Sequence, residues 1–391
     1  MFIPGQVSEI RLPKVLRFGT QTLQTLIPEL KLYPVKRIGL ISDKGLERAG
    51  VVEQIAAMLR EAEFEVTTFT DIAGEPTFPL LARTIRFMQE AKAELIVGLG
   101  GGTAMDTAKA TAALMDKEDP QPYMAGTAVI PNRTIPCVVL PTTSGTGSEV
   151  TYNAIFGDEA TEVKRGIVSH ALLPDVAIVD PLLTLSCPPK VTAASGVDAF
   201  THAIESYIAV RATPLTRMYA EQAMKLFAPN IAKAVHFGSN IEGRVGMSMV
   251  SLLAGIALGN AGVGAVHALA YPLGGKYHIE HGVANALLMP YVFDVTAATC
   301  TEAFADVAGF LQLGDYAHRP HEAPQAVVQY LYGLLRTLDL PSTLRELGVD
   351  EAALPLMAQQ ASKIDRLLNN TPYRLNEQKI LGIYRKAYTG F

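Results

Sequence analysis

Five residues in two stretches of the chain have the types and spacing of a metal site. Asp198 and His202 are four residues apart, which on a helix puts both side chains on one face, one turn from each other. Three of the eight histidines, His267, His278 and His281, fall in one later stretch of mostly apolar residues and glycines. Taken alone, each also fits an ordinary core or loop histidine. Together, one carboxylate and two or three imidazoles favour Fe(II) or Zn(II).

A glycine-rich turn in the first half of the chain is typical of a phosphate site. The apolar run Leu95–Leu99 leads directly into Gly100-Gly101-Gly102-Thr103. Such a turn leaves backbone N–H groups free to face an anion, and the start of the following helix adds positive potential. A merely tight strand-to-helix turn is the alternative, although it would need only one glycine. The spacing is not G-x-G-x-x-G, so this turn alone does not indicate an ordinary Rossmann site.

A second polar turn, P-T-T-S-G-T-G-S-E over residues 141–149, follows the apolar run Pro136–Leu140. Ligands of open α/β sheets bind beyond the carboxyl ends of the strands, where this turn would lie. A polar surface loop is the alternative interpretation. Two turns on one sheet that can each bind a phosphate predict that the ligand is a dinucleotide.

Asp43 stands just past another strand-like run, Arg37–Ser42. An acid at that position can accept hydrogen bonds from the adenosine ribose and repel a 2′-phosphate. The residue therefore favours NAD over NADP. The neighbouring Lys44 weakens this inference, and an ordinary turn aspartate is the alternative.

The elements that must position these residues differ between the two halves of the chain. Up to about residue 185, short apolar runs alternate with amphipathic helical patterns at 45–61 and 78–92, which predicts a Rossmann-like parallel sheet with helices on both faces. The predicted strands are Arg37–Ser42, Glu65–Phe69, Leu95–Leu99, Pro136–Leu140 and Val176–Val179.

After Pro181 the strand-like runs stop and long helical patterns follow, so the second half is predicted to be all-α. We expect an α/β nucleotide-binding domain over residues 1–185 and a helical metal-binding domain over residues 186–391. The predicted helices are Lys190–Val210, Leu215–Phe237, Glu242–Leu258, Gly264–Gly274, Val283–Phe310, Pro324–Leu338, Ala352–Lys363 and Asn376–Tyr388.

Composition excludes several classes of protein. With a net charge of −5 and no dense basic cluster, the chain is not expected to bind nucleic acid or an anionic membrane. Three scattered cysteines and the absence of a signal-peptide pattern favour the cytoplasm. The uncharged run 245–275 is long enough to span a bilayer, but its glycines and polar residues predict two buried helices broken near residues 260–264.

The motifs together resemble the iron-containing (group III) alcohol dehydrogenases, a family related to the dehydroquinate-synthase-like fold. The resemblance rests on G-G-G-T-A-M-D-T-A-K, P-T-T-S-G-T-G-S-E-V-T, D-A-F-T-H and N-A-G-V-G-A-V-H…H-G-V-A-N-A, and it covers most of the chain in collinear order. It implies an active site in a cleft between the two domains, a small alcohol or aldehyde as substrate, and a homodimer or larger homo-oligomer.

Carried over motif by motif, the resemblance assigns the metal ligands to Asp198, His202, His267 and His281. The implied cofactor contacts are Asp43, Gly101, Gly102, Thr103, Asp106, Thr142, Thr143, Thr146 and Lys164. Asn153 falls where such enzymes can place a polar group near the substrate.

Three positions depart from the family pattern. Tyr271 stands where many relatives carry a second histidine, so any proton relay there must use this tyrosine or another route. Relatives commonly have a proline before the histidine that corresponds to His281, whereas Ile279 and Glu280 precede it here. The chain also adds His278, which is either an auxiliary proton carrier or an ordinary loop residue. Leu258 replaces an aromatic residue that relatives often have, which predicts a roomier pocket.

The leading hypothesis is a metal-dependent dehydrogenase that uses NAD(H), with Fe(II) or alternatively Zn(II) as a Lewis acid on the substrate oxygen. Tyr271 motivates a second hypothesis, a hydroxyacid–oxoacid transhydrogenase of the same family. A sugar cyclase on this fold would need several Lys and Arg residues near the ligands, and the helical half shows no such group. A non-catalytic nucleotide-binding protein is disfavoured, because four crowded metal-ligand side chains need a cation.

Overall fold

The computed structural model describes residues 7–130, 132–158 and 163–391. Contacts between Cα atoms divide the chain into two compact units. One is Leu12–Cys187, and the other is Pro188–Phe391 together with residues 7–11. The sequence places the boundary at 185/186 and assigns the whole N-terminus to the first domain. In the structure the boundary lies at 187/188, and the Arg11 N–H donates to Asn260 Oδ1 of the helical unit at 2.8 Å.

The α/β unit contains a six-stranded, wholly parallel sheet with the strand order β1-β8-β5-β4-β2-β3. Strands β6 and β7 form a separate antiparallel hairpin. The strands are β1 Val15–Phe18, β2 Arg37–Ile41, β3 Glu65–Phe69, β4 Leu95–Gly100, β5 Cys137–Pro141, β6 Asn153–Asp158, β7 Val163–Val168 and β8 Val176–Val179. The helices are α1 Leu26–Leu30, α2 Lys44–Arg48, α3 Val51–Glu61, α4 Phe78–Glu90, α5 Gly102–Leu114 and α6 Gln121–Met124.

Both faces of this sheet are covered, which explains the continuous apolar runs of its interior strands β2, β4, β5 and β8. In β4, Ile96 packs with helices α4 and α5, whereas Leu95 and Val97 point to the opposite face and pack with α1 and α3. All five predicted strands are confirmed to within one residue. Because β4 and β5 are parallel neighbours in the sheet, their carboxyl ends lie side by side, with Gly100 opposite Pro141.

The regular elements of the other unit are all helices among its described residues, as predicted, and one hydrophobic core joins them. Helix α9 is long and apolar enough to cross a membrane, but 61% of its most apolar window is buried, as in the core helix of a globular unit. The helices are α7 Pro189–Ile208, α8 Pro214–His236, α9 Ile241–Ala261, α10 Ala265–Tyr277, α11 His281–Thr296, α12 Thr301–Phe310, α13 Ala323–Thr337, α14 Leu354–Ala361, α15 Asp365–Leu368 and α16 Glu377–Thr389.

Two helices that the sequence predicts to be continuous are each divided into two helices in the structure. The pattern at 45–61 is divided between α2 and α3, because Gly50 takes a left-handed conformation with φ 77°. The pattern at 283–310 is divided between α11 and α12 by a 3₁₀ turn, after which Cys300 leaves the helical region with φ −139°. The predicted break near residues 260–264 is confirmed, since α9 ends at Ala261 and α10 begins at Ala265.

Candidate metal centre and nucleotide-binding turns

Helix α7 places Asp198 and His202 side by side in the helical core. The helix begins at Pro189, whose fixed φ suits the first helical position. Asp198 Oδ1 lies 3.7 Å from His202 Nε2, and both side chains are almost fully buried. The four-residue spacing therefore produces the pairing that the sequence predicts.

Helices α10 and α11 bring two more imidazoles to the same point. His267 is in the first turn of α10, and His281 is the first residue of α11. His267 Nε2 lies 3.8 Å from Asp198 Oδ1. One donor atom from each of Asp198, His202, His267 and His281 lies within 4.8 Å of the other three. We call these four residues the donor cluster.

Two polar side chains that the sequence analysis missed surround the donor cluster. Glu205 Oε2 accepts a hydrogen bond from His267 Nδ1 at 2.5 Å, and Asn285 Nδ2 donates to Asp198 Oδ1 at 2.7 Å. Both are almost fully buried. Helical spacing could have identified them, since Glu205 is seven residues after Asp198 and Asn285 is four after His281.

The donor set fits a divalent cation. Among the described residues, His267 Nε2 is buried and has no hydrogen-bond partner, which is costly unless another group binds its lone pair. Burial raises the pKa of Asp198, but His202, His281 and His267 outweigh it and lower that pKa to about 2. One carboxylate and three imidazoles form the N/O set that suits Fe(II) or Zn(II).

The three predicted catalytic residues have different surroundings. Tyr271 lies one turn after His267 in α10, is almost fully buried, and has its ring centroid 6.4 Å from that of His281. His278 is exposed and caps the end of α10 with a left-handed φ of 53°. Asn153 begins strand β6 in the α/β unit, and its carbonyl accepts a hydrogen bond from Lys109. Tyr271 is thus the one whose ring packs near the donor cluster.

The two polar turns of the α/β unit are packed directly against each other. The Thr142 N–H donates to the Gly100 carbonyl at 3.0 Å. A Cβ at Gly102 would lie 2.6 Å from Thr146 Cγ2, and one at Gly101 would lie 3.2 Å from Thr143 Oγ1. The glycines are therefore required for this close approach. Thr103 follows in the first turn of α5, where backbone N–H groups face outward from the helix start.

Asp106 makes contacts within the unit that compete with a role in cofactor binding. Its carboxylate accepts hydrogen bonds from Ser148 Oγ at 2.6 Å and from the Ile155 N–H at 2.8 Å. It also lies 3.2 Å from Lys109 Nζ. The side chain of Lys109 is completely buried, and its ammonium donates to the Ser148 and Asn153 carbonyls. Asp106 and Lys109 thus tie helix α5 to the segment that follows the second turn.

The other two charged cofactor candidates also have protein partners. Asp43 caps α2, with Oδ1 accepting from the N–H groups of Gly45 and Leu46. Its Oδ2 faces the glycine turn, 3.3 Å from where a Cβ of Gly100 would be. Lys164 is nearly buried, and its Nζ pairs with Glu75 Oε1 at 3.0 Å. Asp43 therefore does cap helix α2 through Oδ1, while its Oδ2 remains directed at the glycine turn.

Comparison with known proteins accounts for both units. The family model "Iron-containing alcohol dehydrogenase" matches residues 13–181, and "Fe-containing alcohol dehydrogenase family, C-terminal" matches residues 192–388. Long-chain-alcohol dehydrogenase 1 of Geobacillus thermodenitrificans is 39% identical over 98% of both chains.

Solved structures agree with these matches. A crystal structure of 1,3-propanediol oxidoreductase is similar with a TM-score of 0.92 and 36% identity, over 98% of this chain and 100% of that one. Sulfoacetaldehyde reductase from Bifidobacterium kashiwanohense, in complex with NAD+, is similar with a TM-score of 0.88 and 26% identity, over 99% and 100%.

The chain belongs to the iron-containing alcohol dehydrogenase family. It therefore has the dehydroquinate-synthase-like fold of that family and is an oxidoreductase that acts on alcohols and aldehydes.

Proposed function

We propose that the chain is a metal-dependent dehydrogenase that transfers a hydride between NAD(H) and a small alcohol or aldehyde. The observation that carries the proposal is the donor cluster, in which a buried imidazole nitrogen of His267 faces Asp198 without a hydrogen-bond partner among the described residues. Asp198, His202, His267 and His281 would hold the ion, Fe(II) or alternatively Zn(II). When bound, the ion supplies Lewis acidity towards the substrate oxygen, and the nicotinamide supplies or accepts the hydride.

The α/β unit would bind the nucleotide through its two turns. We expect the Gly101, Gly102 and Thr103 N–H groups to face the phosphates, and the hydroxyls of the second turn to contact the nicotinamide half. Asp43 Oδ2 would accept from the ribose, which favours NAD over NADP. A similar structure, sulfoacetaldehyde reductase, contains NAD+, which supports this choice.

Of the three predicted catalytic residues, Tyr271 lies beside the donor cluster, and its hydroxyl would act as a proton donor there. A tyrosine hydroxyl donates hydrogen bonds well but is a poor base near neutral pH. We therefore assign it a donating role during aldehyde reduction, with Asn153 orienting the substrate and exposed His278 exchanging protons with water. We also expect a cytoplasmic homodimer or larger homo-oligomer.

The test is anaerobic NADH and NADPH oxidation by metal-stripped protein with Fe(II) or Zn(II) added back, against a panel of aldehydes. We expect metal-dependent oxidation of NADH, and loss of both bound metal and turnover in His267→Ala and His281→Ala. Full turnover in either variant, or in stripped protein, would refute the proposed site.

Tyr271 keeps one alternative open, the hydroxyacid–oxoacid transhydrogenase. Such an enzyme would convert a hydroxy acid and an oxo acid pair without added nucleotide. Turnover of that pair, together with no consumption of NADH, would replace the dehydrogenase proposal by this one.

A further inference from the structure

Glu205 is a buried carboxylate that contacts the start of helix α10 with both oxygens. Its Oε1 accepts from the Val266 N–H at 2.8 Å, and its Oε2 accepts from His267 Nδ1 at 2.5 Å. Only 3% of the residue is exposed. A carboxylate placed there has no bulk water to solvate it, so these two hydrogen bonds must stabilise it.

The hydrogen bond to His267 determines which ring nitrogen carries the proton. A neutral imidazole has one N–H and one lone pair, and a carboxylate can only accept. With Nδ1–H donated to Glu205, the lone pair is left on Nε2. That is the nitrogen that lies 3.8 Å from Asp198 Oδ1 inside the donor cluster.

The hydrogen bond to Val266 fixes the backbone that carries the same imidazole. Helix α10 begins after Gly264, which has no side chain to cap the first N–H groups. Glu205 supplies that cap from α7, and a Cβ on Gly264 would lie 3.2 Å from Glu205 Oε1. The Glu205 side chain thus fixes the orientation of the His267 ring, its tautomer and the backbone of the first turn of α10.

We propose that Glu205 is a positioning residue that keeps His267 in the Nδ1–H tautomer with Nε2 aimed at the ion. The inference rests on the proposed function, since it requires that the donor cluster bind a metal. Carboxylates that orient a metal-binding histidine typically contribute 10–100-fold in metal affinity.

Glu205→Gln separates this role from simple helix capping. The amide oxygen can still accept from the Val266 N–H, but the amide N–H₂ then faces His267 Nδ1 and favours the Nε2–H tautomer. We expect Zn(II) affinity, measured by chelator competition, to fall about 10–100-fold. In metal-free protein, ¹⁵N spectra of histidine-labelled samples should show His267 changing from the Nδ1–H to the Nε2–H form, with His267→Ala assigning the signal.

Glu205→Ala provides a second measurement. A small cavity lined by Glu205, Gly264, Thr296 and Thr371 adjoins the carboxylate, and removal of the Glu205 carboxylate would enlarge it, so added formate serves as the replacement anion. We expect formate to restore part of the Zn(II) affinity that Glu205→Ala loses, and chloride at equal ionic strength to restore none. Glu242→Gln, an exposed glutamate on α9 paired with Lys233, is the matched control.

Two results would overturn the inference. Wild-type affinity and an unchanged tautomer in Glu205→Gln would reduce Glu205 to a helix cap, even if Glu205→Ala bound metal poorly. Wild-type affinity in both variants would remove any role in metal binding. If His267→Ala itself kept wild-type affinity, the proposed metal site would fail instead, so the two failures are distinguishable.

Discussion

The donor cluster and the glycine turn are built in opposite ways. In the helical unit, side chains from α7, α10 and α11 converge, and Nε2 of His267 is left without a hydrogen-bond partner among the described residues. In the α/β unit, the charged side chains near the turns, Asp106 and Lys109, bond to the protein itself. The first site is thus made by side-chain donors, and the second by a backbone shape that internal bonds maintain.

This contrast predicts that variants of the glycine turn and its supports alter stability or nucleotide binding while leaving metal affinity unchanged. A large change in metal affinity in any of them would break the comparison.

Lys109→Met should have the largest effect. Methionine keeps most of the length of the lysine side chain. It removes the ammonium that donates to the carbonyls of Ser148 and Asn153 at 2.9 and 2.7 Å. Because Asp106 also loses its counterion, we expect the free energy of unfolding of the α/β unit to fall by about 3–5 kcal/mol. Urea unfolding followed by circular dichroism measures this change, and an unfolding curve identical to that of the wild type would contradict it.

Glu149→Gln should change how stability depends on pH. Burial raises the pKa of Glu149 from 4.5 to about 7, so the folded state holds the proton more tightly than the unfolded state. Stability from this group is therefore full below pH 4.5 and is lost as the pH rises through 7. Since one unit of pKa difference is about 1.4 kcal/mol, the wild type should lose roughly 3 kcal/mol relative to the variant.

Thermal unfolding at pH 5 and pH 8 measures this difference. We expect the midpoint of Glu149→Gln to rise relative to that of the wild type as the pH increases. Glu61→Gln, on the exposed surface at the end of α3, is the control. Parallel pH profiles for Glu149→Gln and the wild type would show that Glu149 does not titrate as its burial indicates.

Gly102→Ala should have the smallest effect. The new Cβ would lie 2.6 Å from Thr146 Cγ2, so the second turn must move away from the first. We expect the NADH dissociation constant, from fluorescence titration, to rise about tenfold, or about 1.4 kcal/mol. Gly309→Ala in α12 is the control, because no described atom lies within 4 Å of its Cβ. Equal NADH affinity in both variants would mean that the backbone shape does not decide binding.

Local sequence patterns predict the parts of this molecule that depend on local physics. The four interior strands β2, β4, β5 and β8 are visible because a strand buried on both faces must be continuously apolar. Asp198 and His202 are visible because four residues make one helical turn. The edge strand β1 and the hairpin of β6 and β7 are not visible in the sequence, since polar residues such as Arg17 interrupt their apolar pattern.

The supporting residues were hidden for a different reason. Lys109 looks like an ordinary helix lysine, and only the folded chain shows that its side chain is completely buried. Glu205 likewise looks like a surface residue of α7 until α10 packs beside it and supplies two donors. Their roles depend on contacts between residues 39 to 62 positions apart, which no short window of sequence contains.

The bond between Arg11 and Asn260 bears on how this protein can be dissected. Because residues 7–11 belong with the helical unit, the α/β unit is an insertion that begins after Arg11 and ends before Pro188. Residues 12–187 can therefore be excised as one contiguous fragment. The helical unit cannot, because its two described stretches, residues 7–11 and Pro188–Phe391, are separated in the chain by the whole α/β unit.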